Sequence, residues 1–288
     1  MIIPLIGFSL ATGLLYGIVK STNFHKLADS QLSKKFKSHG LESRYFQLDA
    51  QTKIHYWIGG QGKPLLMLHG FGAAAKYQWG LQIKAFLKTR QLIIPDLIYF
   101  GESKSISEQY SLEFQADCMQ KLIEHLELKK LDVVGLSYGG LVATMLAKNL
   151  GSPIEKLAIC GSPVRYFTEE HLEDLLKKQQ VDSIEELLVP SKKEGLRKLI
   201  HLAVHKPPFI PDFILKDFHA ATLRDQPEQK KKLLTYLIEH REELAAIERS
   251  FVAQVVDILS TVEQEVIRQN KDNTASAQKV VTESVRNI

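Results

Sequence analysis

Short apolar runs alternate with stretches of helical spacing through the first half of this chain. Residues 43–48 and 53–58 alternate apolar and polar side chains on either side of a short polar turn, which predicts an antiparallel opening hairpin. Residues 64–68 (Pro-Leu-Leu-Met-Leu), 91–94 and 131–134 are instead continuously or nearly continuously apolar, as strands buried on both faces of a parallel sheet require. Residues 154–160 read as one more strand, ending at Gly161-Ser162-Pro163. Between them, 111–128 has helical spacing, with Phe114, Cys118, Leu122 and Leu126 on one face. Strands alternating with helices predict a mostly parallel α/β sheet with right-handed crossovers.

The second half reads differently. From about 164 to 240 no strand is evident, and charged helical segments at 171–179, 183–188 and 195–204 are interrupted by Lys206-Pro207-Pro208-Phe209-Ile210-Pro211. That pattern predicts a helical insertion, or cap, lying over the sheet. Beyond it Leu244, Ile247, Phe251, Val255, Ile258, Val262 and Val266 recur at spacings of three and four, which predicts one long amphipathic helix before the polar stretch 270–278. The expected organisation is therefore a core over 43–164, a cap over 165–240 and a helical tail over 241–288. The sequence names no partner for that tail.

The N-terminus adds a separate feature. Residues 1–19 contain no charge and are rich in Ile, Leu, Phe, Ala and Gly, and about 19 residues at ~1.5 Å rise approach the ~30 Å hydrocarbon thickness of a bilayer. A cleaved signal peptide wants basic residues ahead of the apolar run, whereas here Lys20, Lys26, Lys34, Lys35 and Lys37 follow it. The expectation is a single-pass anchor at 1–19, a basic linker at 20–42, and the bulk of the chain on the cytoplasmic side. The formal charge of +4 over 288 residues is small and dispersed, with no basic stripe bearing aromatics, so nucleic acid is not an expected partner. Cys118 and Cys160 lack metal-ligand spacing and are expected as buried free thiols. No cofactor or metal is expected from any His, Asp or Cys spacing.

The candidate chemistry sits at Gly135-Leu136-Ser137-Tyr138-Gly139-Gly140, between the strand at 131–134 and the apolar helical run that begins at Leu141. A serine there sits on a sharp strand-to-helix turn, its hydroxyl lifted off the sheet at a helix N-terminus. The glycines Gly135 and Gly139 leave room for close helix–strand packing. A serine nucleophile also needs donors aimed at the developing oxyanion. The N–H of Tyr138 follows the serine, and the loop after the 64–68 strand offers the N–H of Phe71, with His69-Gly70 allowing the tight turn that presents it. His69 is expected to brace this loop by hydrogen bonds rather than to move protons.

His69-Gly70-Phe71-Gly72, Trp79, the run Pro95-Asp96-Leu97-Ile98-Tyr99-Phe100-Gly101-Glu102-Ser103 and the Ser137 elbow together resemble the α/β-hydrolase fold over residues 43–240. The anchored N-terminus is similar to the membrane-anchored monoacylglycerol lipase and esterase branch of that superfamily. The resemblance implies ester hydrolysis through an acyl-enzyme on Ser137, an oxyanion hole of Phe71 and Tyr138, and an acyl ester or lipid as substrate. Members of the fold that use aspartate at the elbow, the haloalkane dehalogenases and epoxide hydrolases, are argued against by Ser137.

The chain departs from the family after the cap. Two further strands, one leading to a catalytic aspartate and one to a catalytic histidine, are expected there and are not visible; a long helix stands in their place, and no histidine follows His240. Asp257 and Asp272 lie without a preceding strand and receive no role. His171, His201, His205, His219 and His240 belong to the cap or its exit, and Glu169, Glu170 and Asp174 have no histidine to orient. The alternative reading is a non-catalytic or C-terminally altered descendant that keeps the scaffold and a ligand pocket.

Overall fold

The computed structural model describes residues 24–72, 74–150, 153–162, 169–203, 207, 209–222 and 226–244. Among these residues seven strands form one sheet: β1 (Glu42–Gln47), β2 (Thr52–Gly60), β3 (Lys63–Leu68), β4 (Arg90–Pro95), β5 (Lys104–Ser105), β6 (Leu131–Leu136) and β7 (Ile154–Cys160). Their spatial order is β1-β2-β4-β3-β6-β7, with the short β5 paired to β2. The opening hairpin is antiparallel, with Tyr45 opposite His55 and Phe46 opposite Ile54. From β4 through β3 and β6 to β7 every pairing is parallel. The mostly parallel α/β sheet expected from the apolar runs is the one observed.

Alternation along single strands divides the core in two. In β3, Leu66 and Leu68 enter a cluster with Tyr56, Ile93 and Val133, whereas Leu65 and Met67 enter one with Trp57, Leu92 and Val134. Successive side chains point to opposite faces, so an uninterrupted apolar run feeds both. The first face is covered by α4 (Leu112–His125) and α5 (Tyr138–Leu150), and the second by α1 (Phe24–Ser38), α2 (Ala75–Trp79) and α3 (Ile83–Phe86). Ser111 caps α4, its hydroxyl accepting the Phe114 N–H at 3.1 Å.

Helix α1 corrects the expected linker over 20–42. Phe36 is fully buried and its ring meets that of Trp57 at 5.0 Å. Asp29 accepts from Lys76 Nζ and from the Tyr77 hydroxyl, at 2.9 Å each. The lysines that gave the segment its linker appearance include the exposed Lys34 and Lys37, which leave Phe36 to face the core. The cysteine expectation needs one correction too. Cys118 is buried in α4, where desolvation pushes its thiol up to about 12, but Cys160 is exposed at the end of β7. Side chains of β7 alternate between half-buried and exposed because the strand pairs with β6 alone among the described residues.

The cap region is helical, as expected: α6 (Glu169–Gln179), α7 (Ile184–Leu188), α8 (Lys193–Ala203), α9 (Asp212–Thr222) and α10 (Pro227–Glu239). The last of these lies in the main core, not over it. Its Leu233, Leu234 and Leu237 join the α4–α5 cluster, and the Tyr236 hydroxyl donates to Glu113 on α4 at 2.7 Å. Among the described residues no strand follows Cys160. The anchor at 1–19 and all but the first four residues of the tail helix lie outside the described residues. Among the described residues no helix is long and apolar enough to cross a membrane.

Candidate active site

Strand β6 ends at Leu136 and α5 begins at Tyr138, so Ser137 alone makes the turn between them. It adopts φ 51°, the left-handed region that L side chains rarely enter. Two backbone bonds hold it there. Its N–H donates to the Cys160 carbonyl at the end of β7 (2.8 Å), and its own carbonyl accepts from the Gly140 N–H (2.8 Å). The glycines around it are demanded by proximity. A Cβ on Gly139 would stand 2.5 Å from the carbonyl oxygens of both Leu68 and His69, and one on Gly135 would stand 2.4 Å from the Gly139 oxygen. The first turn of α5 therefore rests directly on the C-terminal end of β3.

That contact brings the loop after β3 to the serine. A Cβ on Gly70 would lie 3.0 Å from the Ser137 Cβ. Gly70 is clamped by the Gln78 side-chain amide, which accepts its N–H at 2.7 Å and donates to its carbonyl at 3.0 Å. His69 is buried with both ring nitrogens engaged: Nδ1 donates to the Gly70 carbonyl at 2.7 Å, and Nε2 accepts the Leu97 N–H at 2.9 Å. Burial pushes its pKa down, against the opposing pull of Asp96, which keeps the imidazole neutral in this tautomer. These bonds make His69 a brace between the β3 and β4 loops.

Phe71 follows Gly70, and its ring packs edge-on against Tyr138 at 5.5 Å and Phe100 at 5.0 Å. Phe71 and Tyr138 thus lie side by side at the serine. The Tyr138 N–H is the first of α5, where leading amides have no intrahelical acceptor. Its phenol is buried, and the hydroxyl has no hydrogen-bond partner among the described residues.

The loop over 95–103 is organised by Asp96, a residue quoted in the sequence motif but given no role from it. Its Oδ2 accepts from His55 Nδ1 (2.8 Å) and the Glu102 N–H (3.0 Å), and its Oδ1 accepts from the Ala75 N–H (2.7 Å). Burial alone would raise its pKa; the hydrogen bond from His55 and those from the backbone bring the net shift down. One further residue escaped the sequence reading. Lys230 on α10 is buried, with Nζ 5.4 Å from the Phe100 ring centroid, in the aromatic cluster that adjoins the serine. Its spacing from Leu233, Leu234 and Leu237 was the available signal, since it puts a lysine on the apolar face of its helix.

Two of the cap histidines hold other groups. His219 donates through Nε2 to the Pro190 carbonyl (2.7 Å), and His240 through Nδ1 to the Tyr236 carbonyl (3.0 Å). Glu169 pairs with Arg241 at 2.8 Å. His171 and His201 lie on α6 and α8, while His205, Asp257 and Asp272 lie outside the described residues.

A mostly parallel sheet in which β6 turns through a strained serine into a helix is the arrangement of the α/β-hydrolase fold. Residues 63–188 match the sequence profile of the family described as alpha/beta hydrolase fold. It is similar to the 2-hydroxymuconate semialdehyde hydrolase of Pseudomonas sp. strain CF600, 34% identical over 115 residues, which are 39% of this chain and 40% of that one. It is also similar to Lipase 1 of Psychrobacter immobilis, 26% identical over 256 residues, which are 86% of this chain and 79% of that one. The first of these likenesses thus spans less than half of the relative, and the second most of it. Among solved structures, that of a membrane phospholipase A described as a bacterial virulence factor superposes with a TM-score of 0.64 at 22% identity. It covers 83% of this chain and 76% of that one, a likeness of fold.

Proposed function

We propose that this protein is a serine hydrolase that cleaves acyl esters, monoacylglycerols among them, through an acyl-enzyme on Ser137. The observation that carries the reading is the backbone of Ser137, held in the left-handed region between β6 and α5 with the β3 loop against it. In the proposed reaction the Ser137 Oγ attacks the ester carbonyl carbon, giving up its proton as the new C–O bond forms. The carbonyl oxygen becomes an oxyanion facing the N–H groups of Phe71 and Tyr138, donors of a kind worth about 2.7–4 kcal/mol each to such a transition state. Collapse expels the alcohol, which carries off the proton given up by Ser137, and water then splits the acyl–serine ester, its hydroxyl leaving on the acid and its proton returning to the Ser137 Oγ. The aromatic wall of Phe71, Phe100 and Tyr138 suits an apolar acyl chain. The lipase among the relatives supports an ester substrate, and the 19-residue uncharged N-terminal run supports membrane tethering.

A fluorophosphonate probe tests the reading directly. Ser137 is expected to be labelled, and p-nitrophenyl ester turnover to disappear in Ser137→Ala. A second reading, a hydrolase scaffold with impaired catalysis, has its own supporting observation: His55, His69, His219 and His240 are each engaged by other partners. Folded protein that stays unlabelled would select that reading.

A further inference from the structure

Exposed large apolar side chains are unevenly distributed. Eight are exposed among the described residues, and four of them, Leu27, Leu202, Phe209 and Phe213, belong to α1, α8, α9 and the segment before α9. Hydrogen bonds bring those four to one end of the molecule. Arg197 on α8 reaches Asp212 (2.7 Å) and the Ile210 carbonyl (3.0 Å), while His219 near the other end of α9 reaches Pro190 ahead of α8. The two helices are therefore antiparallel, with Leu202, Phe209 and Phe213 together at the hairpin tip. Helix α1 starts at the same tip: the Phe24 ring meets Phe213 at 5.3 Å, and the His25 N–H donates to Asp217 at 2.5 Å. His25 is fixed from the core side as well, through its Nε2 contact with the Tyr77 hydroxyl at 2.9 Å.

The chain ahead of this tip says what covers it. Five residue steps separate Val19, the end of the uncharged apolar run, from Phe24, a reach of at most about 18 Å. Phe209 is 88% exposed and Leu27 52%, beside the exposed Lys26. Phe and Leu with flanking lysine are the residues that seat a surface in the headgroup–acyl boundary of a bilayer. We infer that the α8–α9 tip and the start of α1 form a bilayer-contacting face, with a phospholipid surface as its occupant. This extends the proposed tethering by 1–19, and it holds the cap against the membrane from which an acyl lipid would enter.

The test uses the full chain reconstituted into mixed phosphatidylcholine and phosphatidylglycerol vesicles, with Phe209→Trp as reporter and Ile106→Trp, exposed beside β5, as control. Trp57 and Trp79 are buried, and their emission is subtracted using the parent protein. With brominated lipids the 209 reporter is expected to lose emission while the 106 reporter does not. An unquenched 209 reporter overturns the inference, as does equal quenching at 106, failure to pellet with vesicles, or a blue shift that tracks protein concentration instead of lipid. Carbonate extraction of the same samples separates the two readings. Quenching at 209 in extractable protein keeps the face and removes the anchor; carbonate-resistant protein without quenching does the reverse.

Discussion

Ser137 occupies a backbone conformation that costs an L side chain about 1–2 kcal/mol, and glycine far less. Ser137→Gly is therefore expected to be more stable than Ser137→Ala by about 1 kcal/mol in urea unfolding, with both variants unlabelled by fluorophosphonate. Equal stabilities would mean that the turn is not strained. His69 and Asp96 set the response to acid. A histidine whose pKa falls on folding binds its proton more readily when unfolded, so its contribution is complete above the ordinary value of 6.5 and is lost as pH drops below it. His25, also depressed mainly by burial, acts in the same window. Asp96, held below its ordinary 3.8, contributes above that value and loses its share as pH falls through its lower folded pKa. The expectation is a fall in the urea midpoint beginning below about pH 6.5, shallower in His69→Asn because His25 remains. Asp96→Ala, which strands His55 in the core, is expected to cost about 3–5 kcal/mol at neutral pH. The bracing role of His69 was legible from its place before Gly70. The partners of Asp96 were not, since Ala75, Glu102 and His55 come together only when β2, β4 and α2 do.

Among the elements, the strands were the most legible, because burial on both faces leaves unbroken apolar runs, as in β3, β4 and β6. The contact between α5 and β3 was legible only as two glycines. The structure shows why they are glycines, and Gly139→Ala is expected to destabilise by about 1–3 kcal/mol as the backbone shifts to admit a methyl group. Loss of probe labelling should accompany that shift, because the same contact positions the Ser137 turn; a fully labelled, fully stable Gly139→Ala would contradict it. Helix α1 was hidden by its lysines. Its attachment rests on the buried Phe36, and Phe36→Ala is expected to cost about 3–5 kcal/mol by urea unfolding. Helix α10 was hidden by the opposite effect, a charged residue on an apolar face, and Lys230 became interpretable only beside Phe100.

At the scale of the molecule, the tethered reading predicts that the protein pellets with membranes, resists carbonate, and enters the soluble fraction once residues 1–19 are removed. A processed N-terminus would contradict it. What the sequence determined by itself was local in origin: strand and helix periods, the glycine-serine turn, and the uncharged N-terminal run all follow from side-chain pattern within a few residues. What only the tertiary structure decided involves residues distant along the chain. It gave His69 its distant partner, the Leu97 N–H, packed α10 into the core, exposed Cys160 on β7, and joined α1 to the tip of the α8–α9 hairpin. The physical reason is that pattern records which face of an element is buried, whereas the identity of the burying partner depends on how the elements pack.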